Sequence, residues 1–123
     1  MDSKNRSLLF SVGCAIQGIY QAFKQEANLR IHFVAAVLAV TAGFVFKLAA
    51  SEWMVLLLTI TLVIFAELIN TALEANVNLA TKKQRPEAKL AKDAAAGAVL
   101  LTALNAVLIG LLIFGPKIRE CFR

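Results

Sequence analysis

From Ala94 to Phe114 the chain runs for about 20 residues without one ionisable side chain, and Gly115-Pro116 follows. At ~1.5 Å per helical residue such a run crosses a hydrocarbon core of ~30 Å. Inside a soluble fold it would have to be covered on every side. The chain has 123 residues, 59% of them apolar, and a mean hydropathy of +0.72. A domain that small has too much surface for its volume to hide so large an apolar fraction. The excess must face lipid, so this run reads as a membrane span stopped by Gly115-Pro116.

Two further runs fit the same reading. Phe33 to Phe46 is extended by Leu29 and Ile31 before it and by Leu48 to Ala50 after it, with Arg30 and Lys47 near its ends, where they can snorkel. Trp53 to Ala66 is short if it ends at Glu67. No Gly or Pro interrupts the chain as far as Ala80, so one long helix is expected, its later part carrying polar groups. The expected spans cover about 29–50, 53–80 and 88–115, in a single all-α membrane domain over 1–123. Ahead of them Leu8, Leu9, Val12, Ile16, Ile19, Tyr20 and Phe23 recur at helical spacing, opposite Lys4, Arg6, Gln17, Gln21 and Lys24. That pattern suits an amphipathic helix over about 5–27 lying on the membrane surface or packed on the spans.

The net charge of +5 does not point to nucleic acid, because no basic stripe is interleaved with aromatics. The bases cluster between apolar runs instead, where lipid headgroups or phosphates meet them. Lys4, Arg6, Lys24 and Arg30 precede the first span, and Lys82, Lys83, Arg85, Lys89 and Lys92 lie between the second and third. The first connection has Lys47 opposed by Glu52. The positive-inside rule then puts the N-terminal segment and the Lys82–Lys92 connection in the cytoplasm. Lys117, Arg119 and Arg123 fall outside, a sparser cluster that opposes this orientation mildly. Cys14 and Cys121 have no partner at metal or redox spacing, and no cleavable leader or lipidation motif is visible.

The chemistry-bearing residues are Glu67, Asn70, Glu74 and Asn78. At ~100° per residue they share a stripe roughly 80° wide on one helix face, with Thr71 off it. Carboxylates at membrane depth are costly, so they mark a functional site more often than a structural polar seam. Topology brings other groups to the same interfacial layer: Glu26, Asn28 and Arg30 at the start of the first span, Lys92 and Asp93 at the start of the third. Acids, amides and bases so arranged suit phosphoryl transfer. Mg²⁺ takes one or two carboxylates together with phosphate oxygens, Lys92 can stabilise charge on the transferring group, and a further carboxylate can take a hydroxyl proton. Glu67, the deepest acid, is best placed to meet an alcohol arriving from the lipid side. No Gly-rich phosphate loop occurs, so side chains would hold the nucleotide.

Glu67-Leu-Ile-Asn70-Thr-Ala-Leu-Glu74, followed by Ala91-Lys92-Asp93-Ala-Ala-Ala-Gly-Ala-Val99, resembles the prokaryotic diacylglycerol kinase family, which includes diacylglycerol and undecaprenol kinases. The resemblance runs from the surface helix through Glu26–His32 to Phe114-Gly-Pro-Lys117. It implies a bacterial cytoplasmic-membrane lipid kinase with ATP as co-substrate, Mg²⁺ as cofactor, three spans per protomer, a homotrimer and an active site at the cytoplasmic face. It implies Glu67 as catalytic base and Glu26 and Glu74 as metal-binding carboxylates. Asn70, Asn78, Lys83, Gln84, Arg85, Lys92 and Asp93 match positions in the nucleotide and phosphate site, while Asn28 and Arg30, with Glu67, fall on the lipid side. Two positions depart from the family's pattern. Asn78 stands where Asp is usual, losing a charge but keeping hydrogen-bonding capacity, and Arg85-Pro86 replaces a segment that commonly carries His.

Asn28-Leu-Arg30-Ile-His32, Glu52-Trp53 and the Ala-rich start of the third span look more like the undecaprenol branch than the diacylglycerol branch. His32 is expected to be a hydrogen-bonded interfacial residue that could also reach a phosphate. Asn105 is expected to bond another helix in mid-span, Ala94–Ala98 to allow close packing between protomers, and Trp53 to anchor the outer interface. A proton-coupled transporter predicts a polar path to both faces, but the charges gather on one. A non-catalytic scaffold has only Asn78 in its favour.

Overall fold

The computed structural model describes residues 7–123, so Lys4 and Arg6 of the amphipathic pattern lie outside the described residues. Four helices follow one another: α1 (Leu8–Gln25), α2 (Ala27–Val45), α3 (Ala50–Ala80) and α4 (Pro86–Cys121). The last three are each long and apolar enough to cross a membrane. Short connections make them run antiparallel, and α3 packs most extensively against α4. The chain is all-α and three-spanning.

Ser7 starts α1 as an N-cap, its hydroxyl accepting from the Phe10 amide at 3.1 Å. Glu26 is the break between α1 and α2: its extended backbone ends one helix and begins the next, and its N–H donates to the Ala22 carbonyl at 2.8 Å. The guanidinium of Arg30 donates to the carbonyls of Phe23 at 2.8 Å and Lys24 at 2.7 Å. A cation thereby satisfies two orphan acceptors at the negative end of α1. Phe23 and Phe33 meet edge to face at 5.4 Å, Ala22 and Leu29 are buried, and α1 is held to the start of α2. Its outer surface still exposes Leu8, Leu9 and Ile16, as an interfacial helix does.

At the opposite end, the α2–α3 turn closes by a Schellman motif. The Leu48 amide donates to the Gly43 carbonyl at 3.1 Å and the Lys47 amide to Phe44 at 3.3 Å, with Lys47 at φ 54. Glu52 then accepts from the Ala49 amide at 3.0 Å, capping the start of α3 from its own third position. Gly43 makes room for Trp53 here, since a Cβ on it would lie 2.6 Å from Cη2 of that ring. Trp53 meets Phe44 with the rings tilted at 53° and their centroids 4.9 Å apart, and it packs with Leu48, Leu56 and Ile113. It is a packing residue of the bundle, rather than only the interfacial anchor its position suggested.

One sequence expectation is corrected. Gly115-Pro116 does not stop α4, which continues to Cys121. Gly115 has no Cβ to clash with the proline ring, so the helical conformation survives one lost hydrogen bond. Lys117 beyond it reaches Glu52 at 3.2 Å, tying the end of α4 to the start of α3. Asn105 makes no hydrogen bond to another helix of the same chain among the described residues and is exposed. Its mid-span position is readable from its place in the apolar run, whereas the rotation of α4 is not.

Candidate functional site

α3 carries the polar stripe from the core to the surface. Glu67 is buried, Asn70 and Glu74 are half-buried and Asn78 is exposed. The gradient follows from length. A 31-residue helix is ~46 Å long, about 15 Å more than the hydrocarbon core, so its last turns project from the bilayer. The Thr71 hydroxyl donates to the Glu67 carbonyl at 3.0 Å, closing a local bond off the stripe.

Glu67 is the most enclosed charged residue described. Its side chain is 3% exposed, and Nε2 of His32, from the second turn of α2, lies 3.3 Å from Oε1. The ring nitrogen is off the hydrogen-bonding direction, so Oε1 has no bonded partner among the described residues, and neither has the buried Oδ1 of Asn70. Two unsatisfied acceptors one turn apart are expensive in an apolar setting, and such groups in native proteins commonly await a ligand.

The exposed end of the stripe opens onto a cleft of about 820 Å³ between the last turn of α3, the connection and the first two turns of α4. Asn78, Lys83, Gln84, Arg85, Lys92 and Asp93 all line it, together with Thr81, Lys82 and Lys89. Local chemistry shapes this loop. Thr81 leaves the helix with extended backbone, and its Oγ1 accepts from the Lys83 amide at 3.1 Å. Arg85 is extended because Pro86 follows, and Pro86 at the first helical position begins α4. Lys92 donates to Oδ1 of Asn78 at 2.8 Å, and Lys89 pairs with Asp93 one turn on. Lysine and arginine side chains outnumber the acid in the cleft, so it suits a polyphosphate anion.

Glu26, Asn28 and Arg30 do not line this cleft. Glu26 is half-buried at the α1–α2 break, Asn28 is exposed, and Arg30 is engaged with the end of α1. No group of three or more metal-ligating side chains forms among the described residues. Glu74 and Glu26 have no ion-pair partner among the described residues, so the donor chemistry is available.

Sequence reasoning missed two contacts. The Lys89–Asp93 pair was legible as an i,i+4 spacing. The His32–Glu67 contact was not, because it depends on how α2 and α3 are rotated against each other.

Residues 13–114 match the family model described as prokaryotic diacylglycerol kinase. The chain is 45% identical over 102 residues to an undecaprenol kinase of Bacillus subtilis (strain 168), covering 83% of each chain. It is 46% identical over 105 residues to a diacylglycerol kinase of Synechocystis, covering 85% of this chain and 60% of that one. A diacylglycerol kinase of Pseudomonas aeruginosa is 28% identical over 102 residues, 81% of this chain and 83% of its own.

Proposed function

The chain belongs to the prokaryotic diacylglycerol kinase family, and from that membership we propose that it transfers the γ-phosphate of ATP to undecaprenol at the cytoplasmic face of the inner membrane. It is a multi-pass membrane lipid kinase. The observation that supports the finer reading is the course of the α3 stripe. A buried carboxylate with an unbonded oxygen stands at its deep end, and a cation-lined cleft opens at its shallow end.

The cleft side chains bind and orient. Lys83 and Arg85 meet the polyphosphate, and Lys92, steadied by Asn78, faces the charge that builds on the transferring group. Glu67 accepts the proton of the lipid hydroxyl as its oxygen attacks the γ-phosphorus. Its burial excludes water, which would otherwise compete as acceptor. Glu26 and Glu74 would hold Mg²⁺, which supplies charge neutralisation on the phosphates when bound. Asn28 and Arg30 lie at the helix break where a lipid headgroup would approach.

The assembly we infer is a homotrimer. Asn105 is exposed in mid-span, and Ala94, Ala96, Gly97 and Ala98 present an exposed small-residue surface on the same helix. An amide facing hydrocarbon gains from a partner on a second copy, and small residues permit the approach.

Diacylglycerol is the competing acceptor, favoured by the identity to the Synechocystis kinase. Purified protein in lipid vesicles with ATP and Mg²⁺, given undecaprenol or diacylglycerol separately, decides between them. Undecaprenyl phosphate formed at the higher kcat/KM supports the proposal. A preference for diacylglycerol overturns the substrate, and phosphorylation of neither overturns the reading.

A further inference from the structure

A base sealed inside a protein must be emptied after each turnover. Glu67 is 3% exposed at its side chain, so a proton taken from a lipid hydroxyl has no direct path from the carboxyl to water. α2 places one titratable group against it: His32, whose Nε2 lies 3.3 Å from Oε1 and whose side chain is 23% exposed. Imidazole takes up and releases protons near neutral pH and has a second nitrogen with which to do so elsewhere. Of the other charged groups nearby on the neighbouring helices, the cations and Asp93 are engaged, while Glu26 at the α1–α2 break and Glu74 have no ion-pair partner among the described residues. Arg30 on α2 bonds the Phe23 and Lys24 carbonyls, and Lys24 on α1 lies over the Tyr20 ring at 5.3 Å. On α4, Lys92 bonds Asn78, and Lys89 pairs with Asp93. Glu74, on the same face of α3 as Glu67, is two turns nearer the surface.

Resting on the kinase reading, we propose that His32 is the proton outlet of Glu67, acting on the reaction through that carboxylate rather than by touching substrate. As the hydroxyl oxygen bonds to the γ-phosphorus, the bond to the bridging oxygen breaks and ADP leaves. The hydroxyl proton passes to Glu67, then from its carboxyl to Nε2 of neutral His32, and the imidazolium gives up a proton to interfacial water. Oε1 is unbonded and Nε2 is within reach but off line, the geometry of a contact that tightens when the site is filled.

The test is pre-steady-state kinetics of His32→Asn and His32→Gln in vesicles, with ATP and the accepted lipid. These amides retain polarity but cannot carry the proton. The first turnover does not need the outlet and should run at the wild-type rate. It should give a burst of one phosphorylated lipid per site, then a steady rate roughly tenfold or more below wild type with KM for ATP unchanged. Steady turnover within twofold of wild type overturns the proposal, as does a first turnover slowed as much as the later ones. Thermal unfolding of both variants checks folding, and the variant that melts with the wild type is the one scored. Inactive wild-type protein on every lipid would instead sink the kinase reading itself.

Discussion

Lys92 on α4 donates to Asn78 on α3 at 2.8 Å, so the two helices are joined across the mouth of the cleft by a cation and a neutral amide. In the family's usual pattern the acceptor is a carboxylate. The amide holds the lysine in place without cancelling its charge. Asn78→Asp should therefore leave turnover unchanged or raise it, with any effect appearing first in KM for ATP. The gain from an exposed ion pair is small, about 0.5 kcal/mol. A loss of turnover above tenfold would show that the uncancelled charge of Lys92 is what the cleft requires.

Glu67→Gln is nearly isosteric and keeps the packing around the buried end of the stripe. Its effect should fall on chemistry, lowering kcat by about 10²- to 10⁴-fold while ATP affinity is retained. Near-normal turnover on every lipid would make the deep carboxylate structural, and Asp93 would be the next acceptor to test.

Glu74→Gln should raise the Mg²⁺ concentration needed for half-maximal rate and lower the rate, in protein that still inserts and folds. A Mg²⁺ titration beside that of the wild type measures this. Superimposable curves would remove Glu74 from the metal site.

Gly43→Ala drives a methyl group into the Trp53 ring, where Cη2 would lie 2.6 Å away. Phe44 packs against that ring at a tilt and limits its retreat, so the substitution should cost about 1–3 kcal/mol, read as a lower Tm in detergent. Trp53→Phe in the same chain should recover part of the loss.

Replacing the native thiols and placing one cysteine at Gln84 tests orientation. In intact cells, a cytoplasmic connection should be labelled only by a membrane-permeant reagent. Rapid labelling by an impermeant reagent would invert the topology.

The spans and the polar stripe were legible because both are properties of single helices. Charge-free length marks a crossing, and ~100° per residue puts Glu67, Asn70, Glu74 and Asn78 on one face. The cleft was legible in part, because Asn78 and Lys92 flank a short connection that must fold back on itself. Relations between helices were not. Periodicity leaves the rotation of α2 against α3 open, and so hid the approach of His32 to Glu67. The exposure of Asn105 likewise depends on how α4 is turned. Pro116 misled for another reason: a stop signal read locally was outweighed by a glycine before it and an ion pair beyond it.

The α2–α3 turn closes nearly all its polar groups within a few residues, through Gly43, Lys47, Leu48 and the Glu52–Ala49 bond. Such a hairpin needs nothing from α4 to form, so it can enter the bilayer while the rest of the chain is still being synthesised. Glu52 then waits with one oxygen on its own helix start and the other free until Lys117 emerges beside it. That ion pair joins the last part of the chain to cross to the first turn of α3. It forms only once α4 has crossed, so a chain truncated just before Lys117 should still insert its three spans but lack this tie between the end of α4 and the start of α3.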